Sequence, residues 1–212
     1  PVREVFEIPS TGAIVLVTDL LRGRTLASHL RAMRTLSLEA ARDIFLPLMD
    51  GVLAAHRLGV VHRDLKPANV FLADDGRGGF HVKVLDFGTA KLTAAEGIVA
   101  MTSSLTRSGM LLGTIPYMAV EQLEGKTDID ARTDVWALGV MLYEALCGER
   151  PIPGRSFVEI LQGVSMGPIV PIGLRMPHLP AHIARLVDAM LTRDRATRPD
   201  RLEPLMVELR RG

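Results

Sequence analysis

The chain has 212 residues, 48% hydrophobic and 23% charged, which suits one domain, or one large lobe with part of a second, and excludes disorder. Twenty-five lysines and arginines stand against 24 acidic residues, and a net charge of +1 implies no bulk attraction to nucleic acid or to an anionic membrane. One cysteine, Cys147, excludes an internal disulfide framework and suits a reducing compartment.

The opening on Pro1, with no signal-peptide pattern, is the expectation for a piece of a longer polypeptide. Residues 9–12, Pro-Ser-Thr-Gly, predict a turn, and Ala13-Ile-Val-Leu-Val17 a buried strand. That run is too short to span a bilayer and is closed by Asp19 and Arg22. Ser37 is placed to cap a helix whose apolar positions Leu38, Ala41, Phe45, Leu48, Val52 and Ala55 step by three or four, with a local kink at Pro47. A β-rich stretch follows in Val60-Val61, Val70–Leu72 and His81–Leu85, the last two separated by the hairpin-like loop 74–79. Regular periodicity disappears from Asp86 to Glu121, and so long an aperiodic stretch inside a compact chain is usually functional. Beyond it, Val135–Cys147 predicts a strongly apolar helix ended by Gly148, and Ala181–Thr192 and Leu202–Arg211 predict two amphipathic helices.

Chemistry concentrates in His62-Arg-Asp-Leu-Lys-Pro-Ala-Asn-Val70 and Asp86-Phe-Gly88. Asp64, Lys66, Asn69 and Asp86 supply a carboxylate, a cation, an amide oxygen and a second carboxylate, all on short loops beside predicted strands. Asn69 and Asp86 are hard oxygen ligands that suit magnesium. Asp64 can take a proton from a hydroxyl, and Lys66 can offset developing phosphoryl charge.

These segments resemble the catalytic and metal-binding loops of protein kinases. Further segments match in the family's order: Gly113-Thr-Ile-Pro-Tyr-Met-Ala-Val-Glu121 resembles the end of the activation segment, and Asp134-Val-Trp-Ala-Leu-Gly139 the start of the large central helix. Arg198 falls where the family pairs an arginine with the glutamate matched by Glu121. The resemblance runs from about Val5 to Arg211 and is most similar to bacterial members. It implies an α+β, protein kinase-like fold, mainly the α-helical C-lobe with the last strands of the N-lobe and the hinge. The implied organisation is an N-lobe remnant at 1–18, a hinge at 19–24 and the C-lobe at 25–212, with its catalytic loop at 62–70 and activation segment at 86–121.

By that resemblance Asp64 is the catalytic base, Lys66 contacts the transferring phosphate, Asn69 and Asp86 hold Mg2+, and Thr114 braces Asp64 and Lys66. Backbone groups of Asp19 and Leu21 meet the adenine of ATP, Thr18 is the gatekeeper, and Phe71 forms part of the floor. Lys66 points to serine/threonine rather than tyrosine specificity. Arg63 is placed to pair with a phosphate on Thr102, Ser103, Ser104, Thr106 or Ser108. The implied partners are ATP and protein substrates bearing Ser or Thr, with no nucleic acid and no membrane segment in this chain. The resemblance also allows dimerisation, and a cytoplasmic kinase domain whose parent is membrane-anchored.

The family's phosphate cover, strand lysine and helix glutamate have no match here. None of the 19 glycines forms G-x-G-x-x-G, and lysines occur only at 66, 83, 91 and 126, with Lys83 out of register for that task. The expectation is a chain that starts after those elements, with little turnover of its own and an uncovered apolar patch around Ala13–Val17. A competing reading is a catalytically inactive lobe that binds substrates or a partner. A small-molecule phosphotransferase is disfavoured by Lys66-Pro67 and by the 113–121 segment. Val120 replaces the family's usual proline, which puts only loop stiffness in doubt. His62 is expected to be a core residue near Phe87; the other histidines show no metal-ligand spacing, and Cys147 is expected to be inert packing.

Overall fold

A computed structural model describes residues 2–86, 113–154 and 156–211 of the chain. Strands β1 (Val2–Ile8) and β2 (Ala13–Thr18) form an antiparallel hairpin in which Val5 faces Leu16, Phe6 faces Val15 and Glu7 faces Ile14. The turn at 9–12 is closed by Thr11 and Gly12, whose amides donate to the Ile8 carbonyl at 3.1 and 2.9 Å. Strand β2 lies where the apolar run predicts it, but it is not buried: Ile14 is 72% and Leu16 56% exposed. Among the described residues the pair is a two-stranded sheet of its own, with no further strand bonded to either edge.

A second sheet has the order β3 (Gly23–Thr25), β4 (Val70–Asp74), β5 (Phe80–Val84), all antiparallel. The loop 74–79 closes the β4–β5 hairpin as the sequence implies. Val60 and Val61 form no strand; they lie in the connection that follows the helix before them. That connection leads straight into residues 62–64, whose amides bond to side chains rather than to a ladder.

The helices carry the core. Thr25 caps α1 (Leu26–Met33) by accepting from the Ser28 amide at 3.2 Å, and Ser37 caps α2 (Leu38–Arg57) by accepting from the Ala40 amide at 3.1 Å. Helix α2 runs on continuously through Pro47. It buries Ala41, Phe45, Leu48 and Val52 of the predicted stripe and, beside them, Ile44, Met49 and Leu53, while Leu38 and Ala55 at its two ends are only half-buried. After the 3-10 turn Ile115–Tyr117 come α3 (Val120–Leu123), α4 (Arg132–Cys147), α5 (Phe157–Met166), α6 (Ile172–Arg175), α7 (Ala181–Met190) and α8 (Leu202–Arg210).

Helix α4 is apolar around its whole circumference and accordingly buried on all sides, from Thr133 to Leu146 apart from Glu144. Helices α2, α6 and α7 pack against it. At Gly139 the approach of α7 is so close that a Cβ would sit 2.8 Å from Met190 Cβ. Gly148 ends the helix in the left-handed region, its amide returning to Glu144 O at 2.8 Å. No helix of the described residues is long and apolar enough to cross a membrane.

One buried ion pair ties the second half together. Arg198 donates from Nη1 to Glu121 Oε1 at 2.7 Å and from Nη2 to Glu121 Oε2 at 3.1 Å, with both residues buried. The remaining guanidinium donors go to the carbonyls of Thr192 (2.8 Å), Arg132 (3.0 Å) and Arg193 (3.1 Å), while Trp136 lies 5.1 Å from the guanidinium carbon. All five N–H donors of the arginine are therefore satisfied. Thr133 Oγ1 adds a bond to Glu121 Oε1 at 2.9 Å. Burial pushes the Glu121 carboxyl up, but the hydrogen bonds and charge of Arg198 outweigh it and hold the group below its ordinary value.

A carboxylate lowered in the folded state contributes stability that is complete above the ordinary glutamate range, about pH 5, and is lost as pH falls through the lowered value. Arg198→Met strands a buried carboxylate and is expected to cost about 3–5 kcal/mol in urea unfolding at neutral pH. Glu121→Gln should remove this part of the acid-side loss of stability. An unchanged acid slope in Glu121→Gln assigns that loss to other carboxylates. The exposed hairpin carries Val5, Phe6, Ile14 and Leu16 into solvent, so sedimentation velocity is expected to show concentration-dependent self-association that the double variant Ile14→Lys, Leu16→Lys suppresses.

Candidate active site

Residues 58–69 connect α2 to β4 without helix or strand until the 3-10 turn Pro67–Asn69. Arg63 adopts φ +66°, a conformation that L side chains rarely take and that costs about 1–3 kcal/mol. Asp134, in the first turn of α4, supplies the restraint. Its fully buried carboxylate accepts the His62 amide on Oδ2 and the Arg63 amide on Oδ1, both at 2.9 Å, and His56 Nε2 meets Oδ2 at 2.7 Å. Hydrogen bonds to an ionised acceptor contribute about 1.5–3 kcal/mol each, enough for two of them to outweigh the strain. From the other side, Gln122 Nε2 donates to the Arg63 carbonyl at 2.7 Å.

The loop gathers the expected cluster. Lys66 Nζ donates to Asp64 Oδ1 at 3.1 Å, to Asp64 Oδ2 at 2.9 Å and to Thr114 Oγ1 at 2.7 Å. Asn69 Nδ2 donates to the Asp64 carbonyl and to Asp64 Oδ2, each at 2.9 Å. Thr114 thus reaches Asp64 through the Lys66 ammonium. Both N–H bonds of Asn69 are committed to Asp64, which leaves the amide oxygen as the end available to a cation.

His62 is buried and structural. Its Nδ1 accepts the Asp64 amide at 3.3 Å, so Nε2 carries the proton and donates to the Leu85 carbonyl at 2.9 Å. The Leu85 amide donates to the Asn69 carbonyl at 2.8 Å. Asp86 follows at φ +58°, so the backbone that bears the second carboxylate is bonded to the loop that bears the first. Phe87, Gly88 and the candidate phosphorylation positions Thr102, Ser103, Ser104, Thr106 and Ser108 lie outside the described residues. Arg63 Nε is buried and has no hydrogen-bond partner among them.

On the other flank, Phe71 stands on β4 two residues after Asn69, half-buried, opposite Thr25 of β3 and Lys83 of β5. Asp19 and the half-buried Leu21 lie on the connection from β2 to β3, where Asp74 N donates to the Arg22 carbonyl at 2.9 Å. Thr18 is exposed at the end of β2. The Arg3 guanidinium, 2.6 Å from Asp19, holds that carboxyl below the usual range. Cys147 donates to the Glu149 carbonyl at 3.2 Å, and burial pushes its thiol up.

Sequence reasoning assigned no task to His56, Asp134 and Gln122 individually. Asp134 offered a signal, a carboxylate at the head of a wholly apolar helix, which burial makes costly without donors. His56 and Gln122 offered none, because their partners are backbone atoms or residues remote in sequence.

The profile of the family described as Protein kinase domain matches residues 2–206. The serine/threonine-protein kinase PknL of Mycobacterium tuberculosis strain CDC 1551 is 38% identical over 145 residues, 68% of this chain and 33% of its own length. A serine/threonine-protein kinase PknA of Corynebacterium glutamicum is 36% identical over 158 residues, 74% of this chain and 31% of its own. The serine/threonine-protein kinase drp72 of Corynebacterium efficiens is 33% identical over 200 residues, 92% of this chain and 35% of its own. The chain spans about a third of the length of these relatives. With a match over nearly all its residues and a hydrogen-bonded Asp64, Lys66 and Asn69 on the expected loop, this chain belongs to the protein kinase domain family.

Proposed function

We propose that the chain forms the catalytic lobe of a serine/threonine protein kinase, which moves the γ-phosphate of ATP to Ser or Thr hydroxyls of proteins. The observation that carries this is the cluster in which Lys66, Asn69 and Thr114 fix the Asp64 carboxylate beside the strand leading to Asp86. In this reading residues 1–18 belong to the small lobe, 19–24 form the hinge, and 25–212 the large lobe.

The donor set fits magnesium, since Asn69 turns its oxygen away from its committed N–H groups and Asp86 offers a carboxylate, both hard ligands. Magnesium held there would neutralise phosphate charge during transfer. Asp64 orients the acceptor hydroxyl and takes its proton as the oxygen attacks phosphorus. Asn69 and Lys66 keep the Asp64 carboxylate aimed while that happens. Lys66 gives up one of its present partners to meet the transferring phosphoryl group, and Thr114 holds the ammonium in place. Backbone groups of Asp19 and Leu21 meet the adenine, with Phe71 beneath it. The Arg63 Nε, buried and without a partner among the described residues, supports a role in meeting a phosphate on the 102–108 stretch. A cytoplasmic setting supplies the ATP and suits the lone Cys147.

The second reading, a lobe that binds protein without turnover, is favoured by one observation: no lysine precedes Lys66 and no G-x-G-x-x-G occurs. The test is phosphotransfer from labelled ATP with magnesium and a generic basic protein. It compares the 212-residue chain with the polypeptide as the cell makes it. Turnover in the roughly 1–100 per second range typical of kinases is expected only where a phosphate cover and strand lysine accompany this lobe. Asp64→Asn is expected to lower kcat by at least about a hundredfold while nucleotide affinity stays within about twofold. Undiminished transfer in that variant removes Asp64 as the base. Protein capture without transfer in any form establishes the binding reading.

A further inference from the structure

The kinase reading makes the aim of the Asp64 carboxylate decisive, and the backbone just before it is the least comfortable in the loop. Arg63 sits at φ +66°. Its amide and that of His62 are taken by Asp134. Neither bond restrains the next peptide plane, which joins the Arg63 carbonyl to the Asp64 nitrogen and sets the direction of the Asp64 side chain. That plane is held at its nitrogen end by a long bond, Asp64 N to His62 Nδ1 at 3.3 Å. At its oxygen end it is held by a short one, Gln122 Nε2 to Arg63 O at 2.7 Å. The shorter bond is the stronger restraint.

Gln122 is itself fixed. Its Oε1 accepts the Ala119 amide at 3.0 Å, so turning the side-chain amide over would set carbonyl against carbonyl and N–H against N–H. Its neighbour Glu121 is locked by Arg198. Segment 113–123 therefore reaches Asp64 twice: through Thr114 on Lys66, which touches the carboxylate, and through Gln122 on the peptide that aims it.

We propose that Gln122 is a positioning residue for phosphotransfer, holding the Arg63–Asp64 peptide at the angle that points the Asp64 carboxylate at the acceptor hydroxyl. The inference rests on the kinase reading for its consequence and on the contact itself for its mechanism. Gln122→Met keeps the length and removes both bonds. Gln122→Glu keeps the bond from Ala119 but faces a carboxylate oxygen to the Arg63 carbonyl until it is protonated, when it donates again.

The experiment measures two things. In the polypeptide as the cell makes it, Gln122→Met is expected to lower kcat about tenfold with the ATP KM within about twofold. The ratio of Gln122→Glu activity to wild type should rise as pH falls, while the Gln122→Met ratio stays flat. In the 212-residue chain, amide hydrogen exchange across 62–66 should quicken about tenfold in Gln122→Met, with α4 unchanged. Unchanged exchange across 62–66 overturns the proposal whatever the kinetics show. So does quickened exchange with an unchanged kcat, and so does equal loosening of α4 with no pH recovery in Gln122→Glu, which marks a merely structural residue. If wild type transfers no phosphate, the kinase reading fails separately, and exchange across 62–66 alone decides whether the clamp exists.

Discussion

A carboxylate with no access to solvent holds the site in shape. Asp134 sits at the head of a helix that is apolar on every side, where an unpaired charge would be among the costliest features a fold could carry. Three donors surround it: His56 from α2, and the amides of His62 and Arg63 from the loop. The dependence runs both ways. The loop needs the carboxylate to keep Arg63 in a left-handed conformation, and the carboxylate needs the loop to replace its water. Such a pairing is satisfied in full or it fails, which gives a short irregular segment the definition of a secondary-structure element.

The same device recurs along the segment after residue 113. Tyr117 donates to Glu144 Oε2 at 2.7 Å, and burial drives the phenol far above its ordinary range, so it stays a neutral donor. Burial raises the Glu144 carboxyl as well, against the hydrogen bond that lowers it. Glu121 reaches Arg198, and Thr133 reaches Glu121. The acceptors or donors stand on α4 or in the loop before α8, so polar groups on rigid elements position this segment together with the burial of Ile115, Ala119 and Leu123 in the core.

What the sequence showed, and what it hid, follows from where each signal lives. Helix α2 was legible because Ser37 and the apolar stripe are local, and the end of α4 because Gly148 is the residue a left-handed cap asks for. Strand β1 was not: its apolar residues at 2, 5, 6 and 8 do not alternate, since neither face of the hairpin is turned to a core. The same lack of cover is why β2 reads as buried from its run of apolar residues yet stands exposed. Val60 and Val61 carried strand propensity, but their neighbours spend their hydrogen bonds on Asp134 instead. Asp64, Lys66, Asn69 and Thr114 were named from the motif, and the contacts among them followed. The restraint on Arg63 was not legible, because it comes from residues about sixty and seventy positions away.

Val120 shows how a departure from the family's pattern is absorbed. It occupies the first position of α3, where proline is favoured because no intrahelical bond is required of its nitrogen. Valine there loses rigidity but breaks no hydrogen bond. Ala119 before it has no side-chain oxygen with which to cap the helix, and alanine is a poor residue for that position. Gln122 works in the opposite direction, reaching back with Oε1 to the Ala119 amide, the half of a capping box that does not depend on the cap residue's side chain. That bond leaves Nε2 pointing out of the helix toward the Arg63 carbonyl. One amide group thus closes the start of α3 and holds the Arg63 carbonyl. A substitution at 122 that restored the cap with an acceptor alone would close the helix and still release the loop.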